Sequence, residues 1–333
     1  MKKINIRSPY FIEVDEVGQT SAKIEVFLWN KGTTEPTTPN YTFTKAIPSP
    51  TQTKLSWNIS NLAQGFIKPI APVSVSVPTE ENVNTWCYMR VISYSDDVEV
   101  LDELYICLNG YTSYSGGYNQ YTTDAIVLLF NEDITLTTAS GFNYINVLFE
   151  TGADWEWVSD TDGYAFSTSD PTMYKLPYDY GRYTLNYEGG ERVFRIFPEQ
   201  LCEPIYTPVV CTFINRFGGW QYLNFFKANS QGIDVKSKDY NLLPSSIDYN
   251  PLQGIKQRFN FQGTQKIKCN TGWVDENYSE LIQDLLLSQV VLLDNKPAIV
   301  KSQSFDIKTH LKDKNINYEI EFEYNYGLIN DVI

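Results

Sequence analysis

From Ile316 to Tyr326 apolar and polar side chains alternate without a break: Ile316, Tyr318, Ile320, Phe322, Tyr324 and Tyr326 against Asn317, Glu319, Glu321, Glu323 and Asn325. Side chains on a strand point to opposite faces with a period of two, so this predicts a long strand with one apolar and one charged face. Ser304 to Lys312 repeats the period, with Phe305, Ile307, Thr309 and Leu311 against Asp306, Lys308, His310 and Lys312, and a turn at Asp313-Lys314 would join the two as a hairpin. That turn puts Lys308 opposite Glu319 and Phe305 opposite Phe322. Opposite charges across a strand pair contribute roughly 0.2 to 1 kcal/mol each, which favours this register over a one-residue slip. A hairpin whose second face is polar and orderly either extends beyond the domain core to pair with another surface or presents an ordinary solvated face, and the pattern leaves both open.

Upstream, Tyr278, Leu281, Ile282 and Leu285 follow the spacing of one buried helical face, with Asp275 and Glu276 expected in the first turn, where the helix dipole favours carboxylates. A strand over 265–270 leads into this helix, and short strands over 290–293 and 298–301 follow it. The expected C-terminal unit, 206–333, is therefore a sheet carrying one packed helix and a long hairpin. Its N-terminal part includes a hairpin tight at Gly218-Gly219, with positive φ expected at both glycines, and a polar segment over 227–250.

Residues 1–108 carry short strand-like runs at β-sandwich spacing: 10–14, 22–29, 41–45, 54–59, 86–94 and 104–108, divided by turn-rich pieces such as Lys31-Gly32-Thr33-Thr34-Glu35-Pro36. The layout resembles an immunoglobulin-like or fibronectin type III module. Residues 109–205 form a β-rich middle region, with apolar strands over 125–130 and 144–149 and a hairpin turning at Glu188-Gly189-Gly190-Glu191. The fold class is thus mainly β, in three successive regions.

The chain has 333 residues and 15% aromatic side chains, with 24 tyrosines among them. Tyr111, Tyr114 and Tyr118 lie in a Tyr/Gly-rich loop suited to partner contact, and Trp155 and Trp157 share one face of a strand that ends in an acidic turn. Net charge is −14, which argues against wrapping nucleic acid or binding anionic membrane. Neither a signal-length apolar segment nor a run of about 20 apolar residues is present, so neither export by an N-terminal signal nor a membrane helix is expected.

Reactive chemistry is sparse. Five scattered cysteines, Cys87, Cys107, Cys202, Cys211 and Cys269, lack CxxC spacing and read as buried free thiols of a reducing cytoplasm. The only histidine, His310, sits on the charged face of the expected hairpin. Asp154 and Glu156 beside two tryptophans could serve a glycosidase, and Asp160-Thr161-Asp162-Gly163 resembles part of a calcium loop, but a strand ending in an acidic turn accounts for both more simply. No cofactor and no catalytic or metal site is expected, and the chain reads as a structural or adhesive protein. The alternatives are a receptor- or carbohydrate-binding surface protein and, behind that, a glycosidase.

Phe213-Ile214-Asn215-Arg216-Phe217-Gly218-Gly219-Trp220 followed by Phe225-Phe226-Lys227 is similar to a motif in tail proteins of phages infecting Bacteroidetes, including crAss-like phages. So is Asn270-Thr271-Gly272-Trp273 running into Tyr278, Glu280-Leu281-Ile282 and Leu285-Leu286-Leu287-Ser288, and the opening Ser8-Pro9-Tyr10 with Leu28-Trp29-Asn30 resembles the start of the same proteins. The match is weakest over 109–205. The resemblance implies a virion component made in the host cytoplasm, a homo-oligomeric ring of six- or twelve-fold symmetry in the tail barrel, contacting copies of itself and other tail proteins. DNA would be passing cargo, without sequence-specific binding. Lys308, Lys312, Glu319, Glu321 and Glu323 would then lie in a hairpin lining the channel or joining subunits.

Overall fold

The structure is a computed structural model; it describes residues 1–48, 53–81, 84–116, 126–130, 136–138, 143–198, 206–242, 252, 255–302 and 315–329. In chain order the strands are β1 (Lys2–Asn5), β2 (Phe11–Val14), β3 (Ser21–Trp29), β4 (Tyr41–Ala46), β5 (Leu55–Asn58), β6 (Thr79–Glu80), β7 (Trp86–Ser95), β8 (Val98–Leu108), β9 (Ile126–Leu128), β10 (Leu136–Thr138), β11 (Asn143–Phe149), β12 (Asp154–Ser159), β13 (Gly163–Ser167), β14 (Thr172–Tyr178), β15 (Gly181–Tyr187), β16 (Gly190–Pro198), β17 (Val209–Ile214), β18 (Trp220–Phe225), β19 (Ser230–Asn241), β20 (Lys256–Asp275), β21 (Val291–Leu293), β22 (Lys296–Val300) and β23 (Asn315–Gly327). Helix α1 (Ser60–Phe66) follows β5, and α2 (Tyr278–Leu286) follows β20. The chain is mainly β, as the alternating pattern predicts.

Two compact units divide the chain. The first comprises 1–199, 213–222 and 287–289; the second comprises 200–212, 223–286 and 290–333. In the first unit, a five-stranded sheet of order β1-β8-β7-β3-β4 and the small β2-β5 pair with α1 enclose a core of Ile4, Ile24, Val26, Trp57, Ala63, Met89 and Tyr105, a sandwich-like arrangement. β1 runs parallel to β8.

The same unit holds two further sheets, β10-β16-β15-β12-β13 and β6-β14-β11-β9. Between them Phe149, Trp155, Trp157, Leu176 and Leu185 form a second core. A third cluster joins Trp86, Tyr88, Ile106 and Leu108 to Val127, Leu129, Leu148 and Met173. Side chains expected in separate regions, 1–108 and 109–205, thus share one interior, which makes them one compact unit.

The hairpin of β17 and β18 corrects the expected turn. Only Gly218 has positive φ, +86°; the loop closes from Asn215 to Gly219, where the Asn215 N–H donates to the Gly219 carbonyl at 3.0 Å. Gly219 is needed for close approach instead. A Cβ there would overlap the Leu129 carbonyl oxygen and lie 3.2 Å from the Asn146 Cβ. Buried Asn146 ties this corner together: Trp220 N–H donates to its Oδ1 at 2.8 Å, and its Nδ2 donates to Glu81 at 2.7 Å.

The second unit is organised on a sheet in which β21-β22-β23-β20-β19 are hydrogen-bonded in that order. α2 buries Leu281, Ile282 and Leu285 as its spacing predicts, with Glu280 in its first turn. Asp275 instead ends β20, which runs 20 residues where a six-residue strand over 265–270 was expected. Bulges absorb that length: the register shifts between Thr264 and Lys266 and between Asn270 and Trp273. At the second bulge Tyr318 N–H donates to Thr271 Oγ1 at 3.0 Å, which supplies the hydrogen bond the ladder loses.

Candidate functional site

The long alternating strand exists as β23, with Ile316, Tyr318, Ile320, Phe322 and Tyr324 buried. Its neighbours at Phe322 differ from the expected register. Phe322 lies opposite Ile267 of β20 on one side and Val300 of β22 on the other, so no place remains for Phe305 in that register. Lys308, Lys312 and His310 lie outside the described residues. The glutamates of the charged face take cations from within the sheet: Lys268 is 2.7 Å from Glu319, Lys266 is 3.6 Å from Glu321, and Lys301 is 3.0 Å from Glu323. β23 is an interior strand of its sheet, between β20 and β22; the partner strand expected over 304–312 lies outside the described residues.

The strand pair that continues past the sheet is β19 with β20. β19 pairs with β20 from Ser230↔Lys268 to Asn241↔Lys256, whereas β23 reaches along β20 only as far as Thr264. Among the described residues, 256–262 therefore have β19 as their only sheet partner, and 236–241 with 256–262 form a two-stranded ribbon. Apolar side chains remain open along it: Ile233 is 62% exposed and Val235 is 63% exposed, and Tyr240, Phe259 and Phe261 are also exposed. Tyr240 and Phe259 meet edge to face with centroids 5.5 Å apart. Asp234 pairs with Lys266, and Asp239 pairs with Lys256 at 2.8 Å; each partner holds its carboxyl below the ordinary carboxylate range. The sequence carried a signal for β19, since Ile233 and Val235 alternate with Asp234 and Lys236, but the surrounding charges read as a polar connector.

The other distinctive surface lies on β12 and β13. β13 is the edge of its sheet, and a cavity of about 540 Å³ is lined by Asp154, Trp155, Glu156, Ala165, Phe166, Ser167, Asn186 and Tyr187. Asp154 stands opposite Ser167, and Glu156 opposite Ala165 and Asn186. Neither carboxylate forms an ion pair among the described residues; Asn186 Nδ2 donates to Glu156 at 3.4 Å. Trp155 and Trp157, each 2% exposed, pack inward. Trp155 stacks between Phe149 at 4.4 Å and Phe166 at 4.6 Å, so its ring is core rather than an open platform. Its indole N–H has no hydrogen-bond acceptor among the described residues.

The loop tyrosines separate. Tyr114 is fully exposed, Tyr111 is half-buried with the Arg7 guanidinium 5.0 Å from its ring centre, and Tyr118 lies outside the described residues. The acidic turn satisfies itself: Asp162 N–H donates to Ser159 Oγ at 2.9 Å, and Thr161 Oγ1 donates to the Asp162 carboxylate at 3.0 Å. Among the described residues no group of three or more His, Cys, Asp or Glu is placed to hold a metal ion. Cys87, Cys107, Cys211 and Cys269 are buried and free, and Cys202 lies outside the described residues. Burial raises the thiols of Cys107 and Cys211 well above the ordinary value, and burial aided by Asp294 pushes Cys269 up to about 12, so these thiols are protonated at neutral pH and poor nucleophiles. No helix among the described residues is long and apolar enough to cross a membrane.

The class defined by this architecture is a mainly β protein of packed sheets. No protein-family model, no curated protein and no solved structure matches the chain.

Proposed function

We propose that the chain is a structural component of a phage virion tail, assembling with copies of itself into a ring of the tail barrel through which DNA passes. The observation that carries this reading is the ribbon of β19 and β20. It leaves a 12-residue edge strand and apolar side chains on both faces open to solvent, and an isolated two-stranded ribbon is marginal in water unless something else covers it. The resemblance of the Phe213–Trp220 and Asn270–Trp273 stretches to Bacteroidetes phage tail proteins points the same way. A net charge of −14 suits a conduit that must not hold the DNA it conducts. On this reading the chain works through docking surfaces and carries out no catalysis.

Native mass measurement and negative-stain imaging of the purified full chain test it. The expected result is a closed ring of many copies. A particle that stays monomeric at high concentration and beside the other tail proteins overturns the proposal.

A further inference from the structure

We infer that the ribbon of one copy docks on the free edge of β13 in the next, with Lys236 and Lys238 of β19 reaching across to Asp154 and Glu156 of the neighbour. This names the contact within the ring and rests on the assembly reading above.

Complementary charge favours this occupant. Between Lys236 and Gln262 the chain carries four cations, Lys236, Lys238, Lys256 and Arg258, against two carboxylates, Asp239 and Asp248, on a protein of net charge −14. Lys256 and Arg258 already face Asp239, whereas Lys236 and Lys238 enter no ion pair among the described residues. A basic ribbon on an acidic protein has its most abundant complement on another copy of the same chain.

Geometry selects the place. β13 offers a sheet edge with no further strand beyond it among the described residues. Gly163, Ala165 and Ser167 alternate along one of its faces, all small, and that face continues onto Glu156 and Asp154 of β12. A strand added at β13 lies two strand spacings, about 10 Å, from β12. The summed reach of a lysine and a carboxylate side chain is about that distance, and small residues between them leave the path open. Lys236 and Lys238 are two apart, as are Asp154 and Glu156, so one antiparallel register satisfies both: Lys236 opposite Ser167 and Lys238 opposite Ala165. The same register brings Tyr240 over Gly163, where no side chain obstructs the ring. A contact between two different surfaces is head-to-tail, the kind that propagates around a ring.

Lysines on an edge strand also serve simply to keep that edge single, and a charge swap separates the two roles. Sedimentation velocity would be run on the full chain and on three variants: K236E/K238E, D154K/E156K, and all four changes together. The expected result is assembly of the wild type, loss of assembly in each double variant, and its return in the fourfold variant. Circular dichroism of the variants confirms that the surface changes leave the fold intact. In parallel, zero-length carbodiimide coupling of assembled particles mixed from light and heavy isotopes should yield peptides joining Lys236 or Lys238 to Asp154 or Glu156 of a different copy. Assembly that is indifferent to the double variants, a fourfold variant that does not reassemble, or assembled particles without those cross-links overturns this contact while leaving the ring in place. A wild type that never assembles overturns both.

Discussion

β11 and β19 are both strands in hydrogen-bonded sheets, yet every residue of β11 is buried and all but one residue of β19 is exposed. β11 runs between β14 and β9. Its Ile145, Val147 and Phe149 face one core while Leu148 faces another, so both of its faces are covered. Among the described residues β19 stands at the end of its sheet, with both faces exposed. A backbone hydrogen bond contributes only about 1 kcal/mol net, because water competes for the same groups. β11 is therefore held by burial of apolar area, and β19 by cross-strand pairs such as Asp234 with Lys266 and Tyr240 with Phe259. Strand geometry is common to both; stability and availability for docking are divided between them.

The largest effect is expected at Phe149, fully buried and stacked on Trp155 at 4.4 Å. Phe149→Ala should cost about 3 to 5 kcal/mol, the usual range for losing a buried aromatic side chain, read as a lowered denaturant midpoint.

Gly219→Ala comes next. Its new methyl would meet the Leu129 carbonyl, a backbone atom that cannot swing aside, and a cost of about 1 to 3 kcal/mol is expected for such overpacking. Unchanged stability would mean that the β17–β18 turn does not press on the segment after β9 as described.

Acid distinguishes the two strands without mutation. The carboxyls of Asp234 and Asp239 are depressed chiefly by hydrogen bonds from Lys266 and Lys256. Groups with depressed folded-state values contribute stability that is fully present above the ordinary carboxylate range, about pH 4, and is lost as pH falls through the depressed values. Amide exchange corrected for intrinsic rates should therefore show protection of β19 falling below about pH 4 while that of β11 holds, since apolar burial on both faces holds β11 even where its Asn146 meets the Glu81 carboxylate. Equal losses in both strands would contradict the division.

The smallest effect belongs to Val235→Thr. Val235 is 63% exposed, and surface changes of this kind usually stay within about 0.5 kcal/mol. A calorimetric midpoint matching the wild type is expected; a large drop would mean that the side chain is covered within its own chain.

Much of the strand framework was legible. β3, β7 and β23 fall on expected strand runs; β3 and β23 alternate because one face of each lies on a core, the arrangement that writes its period into sequence, whereas β7 has both faces on cores. α2 was legible for the equivalent reason at helical spacing. β19 was not, since a strand without a buried face has no selection toward alternation strong enough to stand out from its charges. The full length of β20 was missed because its two bulges shift the register that a pattern search follows. Asp154 and Glu156 were legible as a pair on the strand face opposite Trp155 and Trp157, and the acidic turn as a turn. That Trp155 faces a core was not, since an alternating tryptophan looks the same from either side of a sheet until another sheet covers it.

Taken alone, the order of residues determined that this chain is mainly β, that β23 carries one charged and one apolar face, and that its balance is acidic. These depend on side-chain period and composition, which are local. Tertiary structure alone decided that β20 and β22, rather than 304–312, flank Phe322, that residues 1–108 and the middle region share an interior, and that the pair left open is β19 with β20. Each of those outcomes is a competition among segments far apart in sequence for the same sheet edge or core, and is settled by which pairing buries the most apolar area.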